Sequence, residues 1–367
     1  MAKKKKLVEE EPVSKEELID VLCKKKSIFF NFSCLKRFFS SKTFLLIFFV
    51  VIIILGIILS LLFSRNLNFC GDGTLEGECS VNKPYFCLEN VLIQDEVDCG
   101  CFEESCFSDY FVEPKEAIFP YTLKGKKGEI KIVLYERVYD YVSTIPRILR
   151  ASNDFIPKRI DFKMNKLGDF IQREAILPLI VEIQNIAPNS KEDQARITIS
   201  LVQNIQYNES EEVVLFNNIS LRISRFPYQT LYDNAAACEG KSELLALLLK
   251  EIGYGVSLFY YGPENHEVIG IECPVEKSFN ETGYCFVETT SPSIIGDNQG
   301  EYIGFGKLFS EPEITVLFDG ISLKNSLKEY GDAESFMKLR KETSFNPYER
   351  WRFNQLKKHY GLNVYLN

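Results

Sequence analysis

Residues 43–63 read TFLLIFFVVIIILGIILSLLF, 21 positions without a charge between Lys42 and Arg65. At about 1.5 Å per helical residue the run spans roughly 30 Å, the depth of a bilayer's hydrocarbon core. A cleaved signal peptide is the competing reading. It fits poorly, because the run is long, sits behind 42 residues and lacks a small-x-small cleavage site. The pattern predicts a transmembrane helix. Lys24, Lys25, Lys26, Lys36, Arg37 and Lys42 precede it with no acid among residues 23–42, while Arg65 is alone beyond it until Lys83. The positive-inside rule therefore predicts residues 1–42 in the cytoplasm and residues 66–367 outside the cell, anchored in the membrane by one pass. The mixture SIFFNFSCLKRFF is expected at the inner lipid interface.

Past the span, apolar spacing alternates between periods. GEIKIVLYERVYDYVS (128–143) predicts a strand passing into irregular structure. Residues 161–186 and 190–206 read as helices, the second with Ser190 and Asp193 as a near capping box ahead of Ala195, Ile199, Val202 and Ile205. Another helix is expected from Cys238, with Leu244, Leu247, Leu248 and Ile252 on its buried face and Gly253 or Gly255 ending it. HEVIGIEC, the strand that follows, and YCFVETT read as an antiparallel pair; EITVLFDG is a further strand. NPYERWRFNQLKKHYG predicts an amphipathic helix entered through Pro347. The element mixture predicts an α+β fold.

Composition adds limits. The 367 residues are 46% hydrophobic and 26% charged, enough for one or two domains with real cores. A net charge of -8, with no basic patch beyond the N-terminal segment, gives no nucleic-acid footprint. Six of the 11 cysteines (Cys70, Cys79, Cys87, Cys99, Cys101, Cys106) crowd a short Gly-rich stretch. They read as a small disulfide-rich module, with a zinc site as the competing reading although C-x-x-C knuckles are missing. Cys273 and Cys285 form a candidate bridge. Cys238 is then odd: an intermolecular bridge, a small buried core residue, or a reactive thiol. The sequons at Asn208, Asn218 and Asn280 suit an exposed, glycosylated surface.

A thiol at a helix N-terminus faces the positive end of the dipole and free N–H groups, which favours the thiolate and offers an oxyanion site. The chain has two histidines, His266 and His359. His266 begins a strand close after the thiol, whereas His359 lies near the C-terminus. Glu288 shares strand parity with Phe286 on the neighbouring strand, as His266 does with Val268 and Gly270 on its own. A hairpin setting 266 opposite 288 would join the two side chains. Cys273 and Cys285 have the opposite parity, so their bridge needs a bulge or irregular loop in that register.

The segments CEGKSELL, NHEVIGI and FVETTSP, in that order, resemble the nucleophile, base and acid motifs of the transglutaminase-like superfamily. The similarity runs from about residue 110 to the C-terminus and is greatest to membrane-anchored archaeal members. It implies a papain-like core, a nucleophile helix packed on an antiparallel sheet, with Cys238 as nucleophile, His266 as base and Glu288 as orienting acid. Many members carry Asp where this chain has Glu288. Tyr228, Gln229 and Tyr232 are the oxyanion-hole candidates. No calcium-loop spacing is present, and no cofactor or metal is expected. The expected organisation is a cytoplasmic segment (1–42), a transmembrane helix (43–63), the cysteine-rich module (66–107), the transglutaminase-like domain (108–309), and a C-terminal strand and helical extension (310–367). The resemblance implies a cell-surface cysteine peptidase or amidohydrolase acting on peptide or isopeptide bonds, hydrolysis being favoured over cross-linking. The alternative is a non-catalytic binding module of the same fold.

Overall fold

A computed structural model describes residues 48–54, 68–100, 109–147, 149, 156–208, 212–216, 219–302 and 306–362, with the backbone alone for 212–216 and 219–223. The chain divides into two compact units, residues 1–67 and 68–367. In the first, residues 48–54 are helical. The rest of the expected transmembrane helix, the basic segment 1–42, Cys101, Cys106 and Asn218 lie outside the described residues. Among the described residues no helix is long and apolar enough to cross a membrane.

The second unit is α+β. It opens with a hairpin, β1 (Tyr85–Leu88) and β2 (Val91–Gln94), followed by a turn of helix, α1 (Glu96–Cys99). Disulfides Cys70–Cys87 and Cys79–Cys99 staple it. Cys70, Cys87 and Leu92 join the main apolar core, so this segment packs into the unit. A longer hairpin follows, β3 (Pro114–Leu123) and β4 (Lys126–Tyr135). Its two-residue turn has Lys124 and Gly125 at positive φ, the type I′ geometry that matches strand twist. In β4, Ile130, Ile132 and Leu134 are buried and Lys131 is exposed, the alternation of a half-buried strand. The expected irregular stretch after it is instead helix α2 (Glu136–Thr144), because Val138 and Val142 lie one turn apart and both bury.

The region expected as one helix from 161 is two, α3 (Arg159–Leu167) and α4 (Phe170–Ile186). Gly168 ends the first, and the Asp169 carboxylate accepts the Gln172 N–H to start the second. Helix α5 (Lys191–Asn204) begins at Ser190, whose hydroxyl accepts the Asp193 N–H as the sequence predicts. Strand β5 (Gln206–Tyr207) and a hairpin of β6 (Glu212–Phe216) and β7 (Ile219–Ile223) lead to α6 (Pro227–Asp233). Strand β8 (Ala235–Ala236) then pairs in parallel with β5 and delivers the chain to α7 (Cys238–Ile252). Gly253 at φ +106 closes α7 by donating to Leu249 and Lys250 carbonyls.

Four strands form the sheet beside α7: β9 (Val256–Tyr261), β10 (His266–Glu272), β11 (Tyr284–Val287) and β12 (Glu313–Phe318), in the order β11-β10-β9-β12, all antiparallel. Strand β9 intervenes between α7 and β10, so His266 begins the second strand after the helix rather than the first. VSLFYY is buried on both faces and carries no alternation to announce it. Helices α8 (Lys328–Arg340) and α9 (Pro347–Tyr360) follow and pack together around Ala333, Phe336 and Leu356.

The β10–β11 register corrects the expected one. Ile269 faces Val287 and Ile271 faces Cys285, two residues away from direct opposition of 266 and 288. An even shift preserves parity, so His266 and Glu288 stay on one face. The shift also places Cys285 diagonal to Cys273, and the two form a disulfide across 12 residues. No bulge is needed.

Candidate active site

The two faces of the sheet differ. Leu258, Ile269, Ile271 and Val287 belong to the main core with the apolar stripe of α7, while Phe259, Val268, Phe286 and Tyr302 form a smaller cluster on the other face. His266 and Glu288 have the parity of this second face. Cys238 stands at the first position of α7, and its thiol lies beside the start of β10. Its thiol donates to the Asn265 carbonyl at 4.0 Å and accepts from the Glu267 N–H, so the sulfur lies against the backbone on both sides of His266. Gly240 allows this seating. A Cβ there would meet Ala236 Cβ at 3.0 Å and Thr230 Oγ1 at 3.1 Å. Among the described cysteines Cys238 is the free one.

His266 and Glu288 are both fully buried, with Nε2 of the imidazole 3.0 Å from Oε2 of the carboxylate. The other carboxylate oxygen accepts from Thr289 N–H (3.0 Å), Thr290 N–H (2.8 Å) and Thr290 Oγ1 (2.7 Å). Burial alone would raise the Glu288 pKa; the His266 charge and these donors outweigh it and hold the group below the usual carboxylate range. An ionised Glu288 keeps the proton on Nε2, so Nδ1 is the basic nitrogen. The Tyr302 ring stacks on the imidazole, with centroids 5.9 Å apart and planes 17° apart. Its hydroxyl accepts from Gly300 N–H at 3.1 Å and donates to the Asp297 carbonyl at 3.3 Å.

The thiol departs from expectation. Burial, then the charges of Glu267, Glu239 and Glu288, push its pKa up to about 12. A helix dipole adds only about half a charge and cannot offset three carboxylates at a site 7% exposed. Cys238 is therefore a neutral thiol at rest.

Those carboxylates belong to a buried charge cluster. Lys163 Nζ donates to Glu239 (2.5 Å), Glu243 (2.8 Å) and Glu267 (3.0 Å); Lys166 bonds Glu243 and Ser224. The three glutamates offer oxygens within 4.8 Å of one another, the spacing of a metal site, but the Lys163 ammonium takes the place of the cation. Burial would lower the Lys163 pKa, yet the surrounding carboxylates hold it well above its ordinary value. Glu267, bonded by Lys163 and by Arg159 at 3.4 Å, is raised to about 7, by burial first and then by Glu239 and Glu243 against the pull of Lys163. Replacing Lys163 by methionine removes the ammonium that Glu239, Glu243 and Glu267 share, leaving Lys166 for Glu243 and Arg159 for Glu267, and is expected to cost about 3–5 kcal/mol, read by urea denaturation of the full chain.

Of the three oxyanion-hole candidates, two are committed elsewhere. The Tyr228 hydroxyl sits between the N–H (2.5 Å) and C=O (3.1 Å) of Tyr135, and the Gln229 amide bonds Ser143, Arg147 and Phe226. Tyr232 packs its ring on Tyr139 and under Lys115. His359 lies apart, where burial and then Lys328 lower its pKa. A cavity of about 500 Å3 borders the site through Tyr302, with Ser291, Asp297, Phe309 and Arg340 among its walls. Glu264, two residues before His266, ties down the Phe309 and Ser310 N–H groups at 2.9 and 3.0 Å. Nothing in the sequence marks Tyr302 or Glu264: neither sits in a motif or a periodic run. No protein-family model, curated protein or solved structure matches the chain.

Proposed function

We propose that the protein is a membrane-anchored, extracellular thiol hydrolase of the transglutaminase-like superfamily, with a papain-like core, cleaving peptide or isopeptide amide bonds. The observation that carries the proposal is the buried His266–Glu288 pair at 3.0 Å, with the Cys238 sulfur held against the backbone flanking that histidine.

The chemistry follows from the pKa values. Because the thiol is neutral at rest, its proton passes to His266 Nδ1 as sulfur attacks the carbonyl carbon. The negative charge that develops on the carbonyl oxygen falls near the first turn of α7, where Ala237 at the N-cap has no side-chain oxygen to engage the N–H groups. The imidazolium, stabilised by Glu288, returns the proton to the leaving amine and a thioester remains. Water then attacks the thioester, giving its proton to the imidazole, and the acid and free thiol are released. The cavity beside Tyr302 is the approach for the acyl side of the substrate, its wall fixed to the histidine turn by Glu264.

A second reading has one observation in its favour. A thiol 7% exposed with a pKa of about 12 suits a binding module that retains the fold without turnover. The deciding experiment screens the full chain in detergent against a peptide and isopeptide library by mass spectrometry. Products released by the wild type and missing with C238A support the hydrolase. A wild type that releases nothing, and forms no thioester trappable by hydroxylamine, supports the binding module.

A further inference from the structure

Lys241 lies three residues beyond Cys238 on α7 and is fully buried. Its ammonium donates to three main-chain carbonyls: Ile205 at 2.6 Å, and Gln203 and Thr290 at 3.3 Å. Carbonyl dipoles compensate a buried charge less than a carboxylate does, and burial accordingly lowers the pKa of this group to about 7, opposed by Glu288. A methionine would fill similar volume without that cost. Packing alone does not explain the lysine.

Its acceptors do. Gln203 and Ile205 sit at the C-terminal end of α5. Thr290 supplies two of the three donors that hold Glu288 Oε1, its N–H and its hydroxyl. Gln203 grips the same segment with its side chain, donating to the Glu288 carbonyl at 2.8 Å and the Ser293 carbonyl at 3.2 Å. On the next residue of α7, the Ser242 hydroxyl bonds the Thr289 hydroxyl at 3.0 Å and the Glu267 carbonyl at 2.9 Å. The segment bearing the acid is thus fastened to the helix bearing the thiol, and to the strand bearing the base, by the two residues of one dipeptide.

We infer that Lys241 is a positioning residue for the triad: it locks the Glu288–Thr290 segment onto the nucleophile helix, fixing the carboxylate that orients His266. The inference rests on Cys238, His266 and Glu288 acting together. Glu288 is the charged group facing Lys241, and His266 lies beyond it.

The test measures iodoacetamide alkylation of Cys238 from pH 5 to 10, in the full chain in detergent, by mass spectrometry of the Cys238 peptide so that other thiols do not interfere. K241M is expected to keep its circular dichroism yet alkylate at least tenfold more slowly at pH 7, its pH profile moving toward that of H266A. K241R, which keeps N–H donors for these carbonyls, is expected to recover most of the rate. A folded K241M with the wild-type rate and profile overturns the inference. If K241M does not fold, K241Q takes its place with the same two outcomes. Failure of the Met, Gln and Arg variants alike to fold shows a lysine needed for folding alone, which also overturns it. Separately, H266A alkylating at the wild-type rate sinks the triad itself, and the role of Lys241 with it, whereas a slow H266A beside an unaffected K241M sinks only the latter.

Discussion

Replacing His266 by alanine is expected to reduce amide turnover by roughly a million-fold, as removal of the histidine does in a hydroxyl triad. The size of the loss follows from the thiol's surroundings. With a pKa of about 12, roughly one Cys238 in 100,000 is ionised at pH 7, so the resting thiolate cannot sustain catalysis. Only transfer of the proton to His266 during attack avoids that penalty. The pH dependence separates this from a general loss of structure. The residual reactivity of H266A should climb about tenfold per pH unit from pH 7 to 10, following thiolate alone, whereas the wild type, whose thiol gives up its proton during attack, should show a much shallower slope over that range. Parallel slopes for the two proteins would remove His266 from the chemistry. The raised thiol pKa has a stability counterpart. The neutral thiol favours the folded state fully below the unfolded pKa of about 9, and that contribution is lost as pH rises toward 12.

Much of this site was legible because its parts are local. The α7 helix shows its apolar stripe and its terminating Gly253, Ser190 shows its cap, and Pro347 shows its helix start. His266 and Glu288 could be matched by parity because a sheet fixes which residues share a face, and parity survives an even error in register. What escaped is what burial hides or distance carries. Strand β9 has both faces in the core and so lost its alternation. Tyr302 reaches the imidazole from a stretch of turns, with no period to mark it. The thiol's pKa depends on Glu239, Glu267 and Glu288, and the first two are organised by Lys163 from α3, more than 70 residues upstream. Sequence places a cysteine at a helix start; only packing reveals that carboxylates around it reverse the effect of the dipole.

Glu288→Gln is the more discriminating of the large-effect substitutions, because it alters one proton and almost no volume. In the wild type Oε1 accepts three hydrogen bonds from Thr289 and Thr290, which fixes Oε2 toward the imidazole. A glutamine must keep its oxygen on those three donors, so its NH2 group turns to His266. Two N–H donors cannot face each other; Nε2 becomes the acceptor and the ring proton moves to Nδ1, the nitrogen required as base. Turnover is expected to fall by about ten-thousand-fold, the cost of trapping a triad histidine in the wrong tautomer. Glu288→Asp keeps the charge and should recover part of the loss. Stability should respond in the opposite sense to acid. A carboxylate held below its ordinary pKa stabilises the fold above the unfolded value near 4.5 and loses that contribution as pH falls through its folded pKa. Urea midpoints taken from pH 7 down to pH 3 should therefore decline more steeply for the wild type than for E288Q. If E288Q turns over within threefold of the wild type, Glu288 does not set the tautomer, and the buried pair is a feature of folding rather than of chemistry.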